Sequence, residues 1–594
     1  MINERIHALR EKMKQYNIDY YYIPTNDYHN SEYVGAHFQE RYYMSGFSGS
    51  MGTMIVGKES SYLWADGRYY VQAENEIKGS EITFKRLGSD GVETPLQFLQ
   101  MNLPKEGVIG FDGKTAAAFE GLMMERIAKN KGGSLVSAYD LVGEIWTDRP
   151  ARPTSNAFIL NESYSGESTE SKLGRIREVM KKHEAMVHVI NSLDDIAWIL
   201  NIRGGDIPAT PVILSYLIIE QAECRYYVDE SKLSEEVKAY FIKNNITVHP
   251  YDAIYHDVTY LKQTTMMDPE IMNYALYTEI KKATTTVELA NPSIMMKSLK
   301  NETEIENLRI AHIKDGVAMT KFMYWLKQNI GKIEMDEVSV AEKLLTFREE
   351  QEQFIEVSFD TISAYNANAA MMHYHAQKET CAKLKPEGFL LVDSGGQYMN
   401  GTTDITRTFA LGEVNPVWKH HFTQTLKGMS QLARQKFLSG CTGINLDILA
   451  RQHLWNENID YRSGTGHGVG FLLGVHEGPQ GIRWRKAMNR KEDTPLMEGM
   501  IVTDEPGVYE EGSHGIRIEN ELVVKKDVLN EYGQFMAFET ITFAPIDLDA
   551  IAVETLDEAT KNWLNEYHEQ VYAKLHKYLT AEEQAWLKEY TRKI

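Results

Sequence analysis

In the C-terminal half of the chain, predicted apolar strands end in acidic residues, and this pattern limits the possible folds more than any other feature. The apolar run 389–392 leads directly into Asp393, and the threonine-rich stretch 401–409 carries Asp404 near its start. A β-hairpin between these two stretches would bring the carboxylates together. The pattern therefore predicts a strand-end site that contains several acids.

Three further motifs add reactive side chains to the same region. An apolar strand leads into Glu505, just before a proline–glycine turn. The glycine-rich segment 464–470 centres on His467, and its glycines let the backbone approach the imidazole closely. Arg517 and Glu519 alternate along one predicted strand, so we expect both on the same face.

Gathering these side chains in one place requires a cation. Each acid alone could be an ordinary turn or cap residue, but four clustered carboxylates would raise one another's pKa and repel. Divalent ions remove that cost. A set of oxygen ligands with one imidazole suits Mn²⁺, Co²⁺ or Zn²⁺. The sequence contains no P-loop, zinc-finger spacing or HEXXH motif.

Length and composition set the outer limits for the protein. A chain of 594 residues is too long for one hydrophobic core, so we expect several domains. The net charge of −21 argues against nucleic acid and anionic membranes as partners. No apolar run approaches the ~20 residues that span a bilayer, and the N-terminus lacks a signal-peptide core. Three scattered cysteines do not form a disulfide framework, so we expect a soluble, cytoplasmic protein.

The first three hundred residues read as a duplicated α/β unit. Helical spacing precedes an extended run near residue 20 and again near residue 187. The runs 63–66 and 226–229 correspond, as do 82–84 and 246–248, at offsets of 163 and 164 residues. Helices that alternate with short β-branched runs are typical of α/β folds. The alternative is two ordinary α/β domains that resemble each other by chance.

Local signals predict where the domains begin and end. The stretch 148–154 contains two prolines and reads as a linker. Asn301 and Glu304 have capping-box spacing and begin a predicted helix that runs through Trp325. We expect domains at 1–150, 155–300 and 301–545, followed by a C-terminal helical extension at 546–594. The apolar stripe of the extension consists of Leu564, Tyr567, Val571, Leu575 and Tyr578.

The order of the five candidate ligands and the words around them resemble the pita-bread metallopeptidases, which include methionine aminopeptidase, prolidase and Xaa-Pro aminopeptidase. The long three-domain cytosolic aminopeptidase P subgroup is most similar. The motifs that carry the resemblance extend over nearly the whole chain: GFSGS (46–50), LWADGRY (63–69), LDDIAW (193–198), GTGHGVG (464–470), VHEGP (475–479), TDEPGVY (503–509) and GIRIEN (515–520). The resemblance implies two similar creatinase-like N-terminal α/β domains followed by a pita-bread catalytic domain.

The same resemblance implies a role for each metal-site residue. Asp393 would bind one of two divalent ions in bidentate fashion or share it, with Mn²⁺ the first choice and Co²⁺ or Zn²⁺ the alternatives. Asp404 and Glu519 would bridge the ions, and His467 and Glu505 would complete the two shells. Glu505 would also accept the proton of a bridging water whose pKa the ions lower.

Substrate contacts follow from the resemblance as well. His373 and His476 would polarise the scissile carbonyl and stabilise the tetrahedral intermediate. Arg68 would contact substrate from the first domain, although a plain surface salt bridge explains it nearly as well. Ser463 stands where this family often carries a histidine, which puts a secondary substrate or pH role in doubt. The implied substrates are peptides with a penultimate proline.

Two other functions remain open from sequence. Prolidase, an Xaa-Pro dipeptidase, shares all five ligands, whereas the length and motif wording favour the aminopeptidase. A non-catalytic pita-bread binding protein would have a broken ligand set, and this set is intact. The family resemblance also suggests a homodimer, in which Trp455 could serve the interface or simply pack in the core.

Overall fold

The computed structural model describes residues 1–486 and 493–594 and divides into two compact units. The N-terminal unit consists of Met1–Asn161 and Glu167–Ser293, and the C-terminal unit consists of Glu162–Gly166 and Ile294–Ile594. In the part of the chain that is described, no helix is long and apolar enough to cross a bilayer.

The first half of the N-terminal unit is a six-stranded sheet with helices on both faces. Its elements are α1 (Ile2–Gln15), β1 (Tyr20–Pro24), α2 (Glu40–Ser45), β2 (Thr53–Gly57), β3 (Ser61–Ala65), α3 (Tyr70–Glu76), β4 (Ile82–Arg86), α4 (Pro95–Asn102), β5 (Val108–Gly110), α5 (Ala118–Asn130) and β6 (Ser134–Val136). The strand order is β4-β3-β2-β1-β5-β6. Alternation along β1 sends Tyr21 and Ile23 towards α1, and Tyr22 towards α4 and α5.

The second half of the unit repeats this architecture. Its elements are β7 (Phe158–Ile159), α6 (Glu162–Ser165), α7 (Thr169–Lys182), β8 (Val187–Ile190), α8 (Leu193–Leu200), β9 (Ile202–Arg203), β10 (Ser215–Glu220), β11 (Cys224–Val228), α9 (Glu235–Lys243), β12 (Ile246–Pro250), α10 (Ile254–Asp257), β13 (Thr265–Met267), α11 (Tyr274–Ala283) and β14 (Thr286–Glu288). Helix α6 is the exception, because it follows β7 in sequence but belongs to the C-terminal unit. The sheet order is β12-β11-β10-β8-β13-β14, with the same parallel and antiparallel pairings as in the first sheet. The predicted duplication is therefore confirmed.

Both predicted boundary signals are visible as local structure. The stretch 148–154 contains neither helix nor strand, as its prolines predict. Asn301 caps a helix that begins at Glu302, and Glu304 completes the capping box. That helix runs to Asn329, slightly beyond the predicted Trp325. The domain limits themselves stay predictions.

The C-terminal unit combines long helices with several small antiparallel sheets. Its remaining elements are α12 (Pro292–Ser298), α13 (Glu302–Asn329), α14 (Glu337–Glu349), β15 (Phe354–Val357), β16 (Ile362–Tyr365), β17 (Phe389–Ser394), β18 (Gly396–Tyr398), β19 (Gly401–Thr402), β20 (Ile405–Ala410), α15 (Pro416–Ala433), β21 (Phe437–Leu438), α16 (Gly443–Trp455), β22 (Gly466–Gly468), β23 (Glu477–Ile482), β24 (Ile501–Asp504), β25 (Gly507–Glu510), β26 (His514–Arg517), β27 (Asn520–Asn530), β28 (Gly533–Thr540), α17 (Glu558–Leu575) and α18 (Ala581–Tyr590). The central sheets have the orders β16-β17-β20 and β21-β28-β27-β24.

Helix α17 packs on the core of the C-terminal unit through the predicted apolar stripe. Leu564, Tyr567, Val571 and Leu575 are buried against a cluster that includes Phe543. The fifth predicted member, Tyr578, is wrong: its side chain is 51% exposed, because α17 ends at Leu575 and a short 3-10 turn follows. The stripe is therefore one residue shorter than its periodicity suggests.

We predict that Tyr567→Phe destabilises the C-terminal unit by about 1–3 kcal/mol, because several buried polar groups would lose their partner. The Tyr567 hydroxyl accepts hydrogen bonds from Arg407 Nη2 (2.8 Å) and the Ala544 amide (3.2 Å). Urea unfolding followed by tryptophan fluorescence measures the change. Tyr572→Phe, at a half-buried position on the same helix, is the control. Equal stability of the two variants would contradict the prediction.

Candidate metal centre

Asp393 and Asp404 are brought together by a hairpin, as predicted. Strand β17 pairs antiparallel with β20, and Asp393 lies opposite Thr406. A second, shorter ladder between β18 and β19 extends the hairpin. Asp404 falls between β19 and β20, where its amide donates to Glu521 Oε1 over 2.7 Å. Leaving the ladder at this point frees the Asp404 side chain to approach the other acids.

His467 lies on the short strand β22, held against β24. Gly466 is required there, because a Cβ atom at this position would lie 1.9 Å from the Thr503 carbonyl oxygen. The His467 amide donates to Thr503 Oγ1 (3.1 Å), and Nδ1 lies 2.9 Å from the Gly468 carbonyl oxygen. With Nδ1 protonated towards that carbonyl, Nε2 presents a lone pair, the arrangement that suits a metal ligand. Nε2 lies 3.4 Å from Asp404 Oδ2 and 3.6 Å from Glu505 Oε1.

Glu505 directly follows β24 and Glu519 directly precedes β27, and threonines hold both side chains. The Glu505 amide donates to the Thr465 carbonyl (2.8 Å), and Thr503 Oγ1 donates to Glu505 Oε1 (3.3 Å). The Glu519 amide donates to the Thr406 carbonyl (3.1 Å), and Thr406 Oγ1 donates to Glu519 Oε2 (2.7 Å). Hydroxyl donors thus fix the direction of both carboxylates.

One detail of the predicted strand is wrong. Arg517 and Glu519 do not share one continuous strand, because β26 ends at Arg517 and β27 begins at Asn520. Glu519 occupies the connection between these strands. Its amide donates to the Thr406 carbonyl on β20, outside any regular strand pairing. The carboxylate consequently points among the other acids.

The acids form a buried cluster. Ligand atoms of Asp404, His467 and Glu519 all lie within 4.8 Å of one another. Asp404 is 4% exposed and Glu519 is 1% exposed. Burial, followed by repulsion from neighbouring carboxylates, raises the pKa of both groups well above the usual carboxyl range. Such a site favours either bound protons or a bound cation.

Arg517 supplies part of the required positive charge. Its Nη2 donates to Asp393 Oδ2 (2.5 Å) and its Nη1 donates to the Tyr509 hydroxyl (2.7 Å). Burial opposes the charge, yet Tyr509 and Asp393 raise the pKa of Arg517 well above its usual value, so it remains a cation. One arginine cannot offset four carboxylates. Moreover, Asp393 Oδ1 is buried without a hydrogen-bond partner among the described residues. The donor set and this orphaned oxygen fit divalent cations.

The two predicted substrate histidines are connected to this centre by different contacts. The His476 ring meets the His467 ring edge-on, with centroids 4.3 Å apart. The next residue, Glu477, forms a buried ion pair with Lys300 that anchors this segment. His373 lies in a turn directly after Met372, whose carbonyl accepts from Arg517 Nη2 at 3.5 Å. His476 thus contacts a candidate ligand directly, whereas His373 follows a residue that contacts Arg517, the partner of Asp393.

Arg68 and Ser463 have other surroundings. Arg68 belongs to the N-terminal unit, where it forms a bidentate ion pair with Asp66 at 2.9 and 2.8 Å. This ion pair agrees with the alternative expectation for Arg68, a plain salt bridge. The substrate role of Arg68 stays a prediction. The Ser463 carbonyl accepts a hydrogen bond from Arg451 Nη2 at 2.7 Å.

The residues that orient the acids were not predicted from the sequence. Thr406, Thr503 and Tyr509 had no predicted role, and Arg517 was noted only for its position on a strand. A signal was available, because each threonine lies exactly two residues after or before a candidate acid, where strand alternation returns a side chain to the same face. The partner of each hydroxyl, however, depends on which strands meet.

We predict that divalent metal stabilises the C-terminal unit. Mn²⁺ added to metal-stripped protein at about 100 times its dissociation constant should raise the free energy of unfolding by about 2.7 kcal/mol. Thermal unfolding at fixed ionic strength measures the shift. Glu519→Gln, which removes one buried carboxylate, should abolish the response. A full response in that variant, or none in the unmodified protein, would contradict the prediction.

Comparison with known proteins agrees with this architecture. Residues 5–145 and 148–304 each match a family model for the creatinase/prolidase N-terminal domain. Residues 306–526 match metallopeptidase family M24, and residues 534–594 match the C-terminal region of peptidase_M24. The predicted fold class, two similar N-terminal α/β domains followed by a pita-bread catalytic domain, is confirmed.

Similar proteins extend over the full chain. The probable Xaa-Pro aminopeptidase P of Paracoccidioides brasiliensis (strain Pb03) is 37% identical, with 100% of this chain and 99% of the relative covered. Aminopeptidase P2 of Arabidopsis thaliana is 37% identical, with 100% and 89% covered. A crystal structure of X-prolyl aminopeptidase from Caenorhabditis elegans, described as a cytosolic enzyme with a di-nuclear active site, is 32% identical with a TM-score of 0.94, and 100% of both chains is covered. The chain therefore belongs to the aminopeptidase P family of M24 metallopeptidases.

Proposed function

We propose that this chain is a metal-dependent Xaa-Pro aminopeptidase, which hydrolyses the bond between an N-terminal residue and a penultimate proline. The observation that carries the proposal is the buried cluster around Asp404, His467 and Glu519. Full-length similarity to proteins named for this activity supports it.

The proposed cofactor is a pair of divalent ions, with Mn²⁺ preferred and Co²⁺ or Zn²⁺ as alternatives. Asp393, Asp404, His467, Glu505 and Glu519 would hold them. Asp404 and Glu519, which are the most buried of these carboxylates and lie close to His467, would supply oxygen ligands to the pair. When bound, such ions polarise a carbonyl oxygen and lower the pKa of water to about 7.

Each remaining side chain has a separate task in this proposal. Glu505 has the most exposed side chain of the four candidate ligand carboxylates, at 20%. It would accept the proton of the attacking water. His476, beside His467, and His373 would donate to the developing oxyanion. Arg517 would hold Asp393 in its ligating orientation, while Thr406 and Thr503 orient Glu519 and Glu505.

Proline specificity has a physical basis in the scissile bond. An Xaa-Pro bond is a tertiary amide without an N–H, and its ring fixes φ, so clefts that bind extended strands cannot hold it. A site that binds the free α-amine beside an acidic cluster, and the ring in an adjacent pocket, demands both proline and a free terminus. We expect cleavage of the trans isomer, in which the ring lies opposite the first side chain.

The preferred substrate should be Xaa-Pro-Yaa with a free amine. We expect kcat/KM for this peptide to exceed that for Xaa-Ala-Yaa and N-acetyl-Xaa-Pro-Yaa by roughly 10²-fold or more. The alanine peptide lacks the ring that the proposed pocket binds, and the acetylated peptide lacks the free amine. Quantifying the released first residue by mass spectrometry tests this expectation. Faster hydrolysis of Xaa-Pro dipeptides would make the protein a prolidase. Equal cleavage of all peptides would exclude proline specificity, and no cleavage in the metal-loaded state would favour a binding protein.

The two histidines should affect turnover without affecting metal content. His373→Ala and His476→Ala are expected to lower kcat/KM by roughly 10²-fold, the usual loss when a transition-state donor is removed. His375→Ala, an exposed neighbour of His373, is the matched control and should retain activity. Kinetics combined with metal analysis separate the roles. A variant that loses metal would identify its histidine as a ligand instead.

We propose a cytoplasmic homodimer that uses an exposed aromatic pair. Trp455 and Trp484 are 38% and 43% exposed, and their rings meet edge-on at 5.9 Å. Exposed tryptophans beside each other are typical of interface anchors. The solved relative from Caenorhabditis elegans is described as cytosolic, which supports the compartment.

Trp455→Glu should convert the dimer to a monomer, because a charge in an apolar contact is costly to bury. Light scattering coupled to size-exclusion chromatography gives the mass. Tyr578→Glu, which changes an exposed aromatic residue elsewhere in the C-terminal unit, should leave the dimer intact. A monomeric unmodified protein, or a dimeric Trp455→Glu variant, would show that this pair is not the interface.

A further inference from the structure

A buried polar network contacts the segment that precedes β22, the strand that carries His467. Arg451 and Asp447, one turn apart on helix α16, are both fully buried and joined by a 2.6 Å ion pair. Burying such a pair is expensive unless all its polar atoms have partners. Their remaining bonds therefore indicate what the pair is for.

Arg451 binds the backbone of the segment that leads into β22. Its Nη1 donates to the Tyr461 carbonyl (2.6 Å), and its Nη2 donates to the Ser463 carbonyl (2.7 Å). The guanidinium also lies 3.7 Å from the centre of the Tyr461 ring. The segment belongs to no helix or strand until Gly466, so these contacts replace the restraint that a ladder would give.

Asp447 holds the other end of the same segment. Its Oδ1 accepts from Thr465 Oγ1 at 2.6 Å, and the Tyr461 hydroxyl lies 2.6 Å from the same threonine oxygen. Thr465 lies two residues before His467, and its carbonyl accepts the Glu505 amide at 2.8 Å. One threonine thus connects the network to two candidate ligands.

Glycines make this restraint necessary. Gly464 and Gly466 flank Thr465, and glycine loses more conformational freedom on folding than any other residue. Without external contacts, the 461–466 segment could shift and move the His467 imidazole relative to Asp404. Residues that orient ligands in this way often change metal affinity when they are replaced.

We propose that Asp447, Arg451 and Thr465 are positioning residues of the metal centre, which fix His467 and Glu505 through the backbone of the 461–466 segment. The inference rests on the proposed function, since it concerns the same two-metal site. It adds a set of residues outside the family's ligands and substrate histidines. Their role is exerted through the backbone of the segment, without contact to substrate.

Binding of Mn²⁺ alone to metal-stripped protein tests the proposal. Asp447→Asn and Thr465→Val should each raise the Mn²⁺ dissociation constant by about 10- to 100-fold. Thr465→Ser keeps the hydroxyl and should bind Mn²⁺ like the unmodified protein. Isothermal titration calorimetry gives the constants, thermal unfolding gives the stability of each variant, and kcat/KM is measured at saturating metal.

Asp315→Asn is the matched control. Asp315 is also buried, accepts two hydrogen bonds from the buried Arg348, and accepts one from the Tyr398 hydroxyl. It joins α13, α14 and β18 instead of the 461–466 segment. This variant should lower the unfolding temperature while leaving the Mn²⁺ dissociation constant unchanged.

Two results would overturn the proposal. One is an unchanged Mn²⁺ dissociation constant in Thr465→Val, the near-isosteric change that best preserves folding. The other is an equal loss of affinity in Asp315→Asn, which would reduce the effect to general destabilisation. Because the readout is metal affinity, a protein that binds Mn²⁺ but cleaves no Xaa-Pro peptide would count against the proposed function alone.

Discussion

Mutual repulsion among buried carboxylates is the constraint on which the rest of the C-terminal unit depends. At separations of a few ångströms in a buried site, like charges cost several kcal/mol unless a cation lies between them. Arg517 offsets one of these charges by pairing with Asp393, and its own charge is maintained by Tyr509. Asp404 and Glu519 keep raised pKa values, because they are buried among other carboxylates, and their cluster therefore favours divalent ions.

Holding the acids in place falls to neighbouring hydroxyls and backbone carbonyls. Thr406 binds Glu519 through both its hydroxyl and its carbonyl, so a single residue sets the position and the direction of that side chain. Thr503 does the same for two neighbours, since its hydroxyl accepts from the His467 amide and donates to Glu505. Neutral donors suit this task because they orient the carboxylates. A second arginine would compete more strongly with a metal ion for the carboxylate oxygens.

Sequence could predict the parts of the site that strand periodicity and motifs encode. Asp393 ends a buried strand, and the hairpin that brings it towards Asp404 follows from two adjacent strand signals. The sequence could not reveal that β26 ends at Arg517, because the alternation continues unbroken through Glu519. The break arises from a tertiary contact, in which Thr406 takes the Glu519 amide that a ladder would otherwise use. The Asp447–Thr465 contact escaped for the same reason, since it joins a helix to a distant loop.

Arg407 shows how the C-terminal helices contribute to the metal centre. This fully buried arginine donates to the Glu519 carbonyl (2.6 Å), the Asn520 side chain (2.9 Å) and the Tyr567 hydroxyl (2.8 Å). All of these acceptors are neutral, and burial lowers the pKa of Arg407. Among the described residues no carboxylate forms an ion pair with Arg407, and its positive charge acts on the nearby Glu519 carboxylate. Helix α17 supplies Tyr567 and covers this charge, so the C-terminal extension is part of the electrostatic design of the site as well as of its packing.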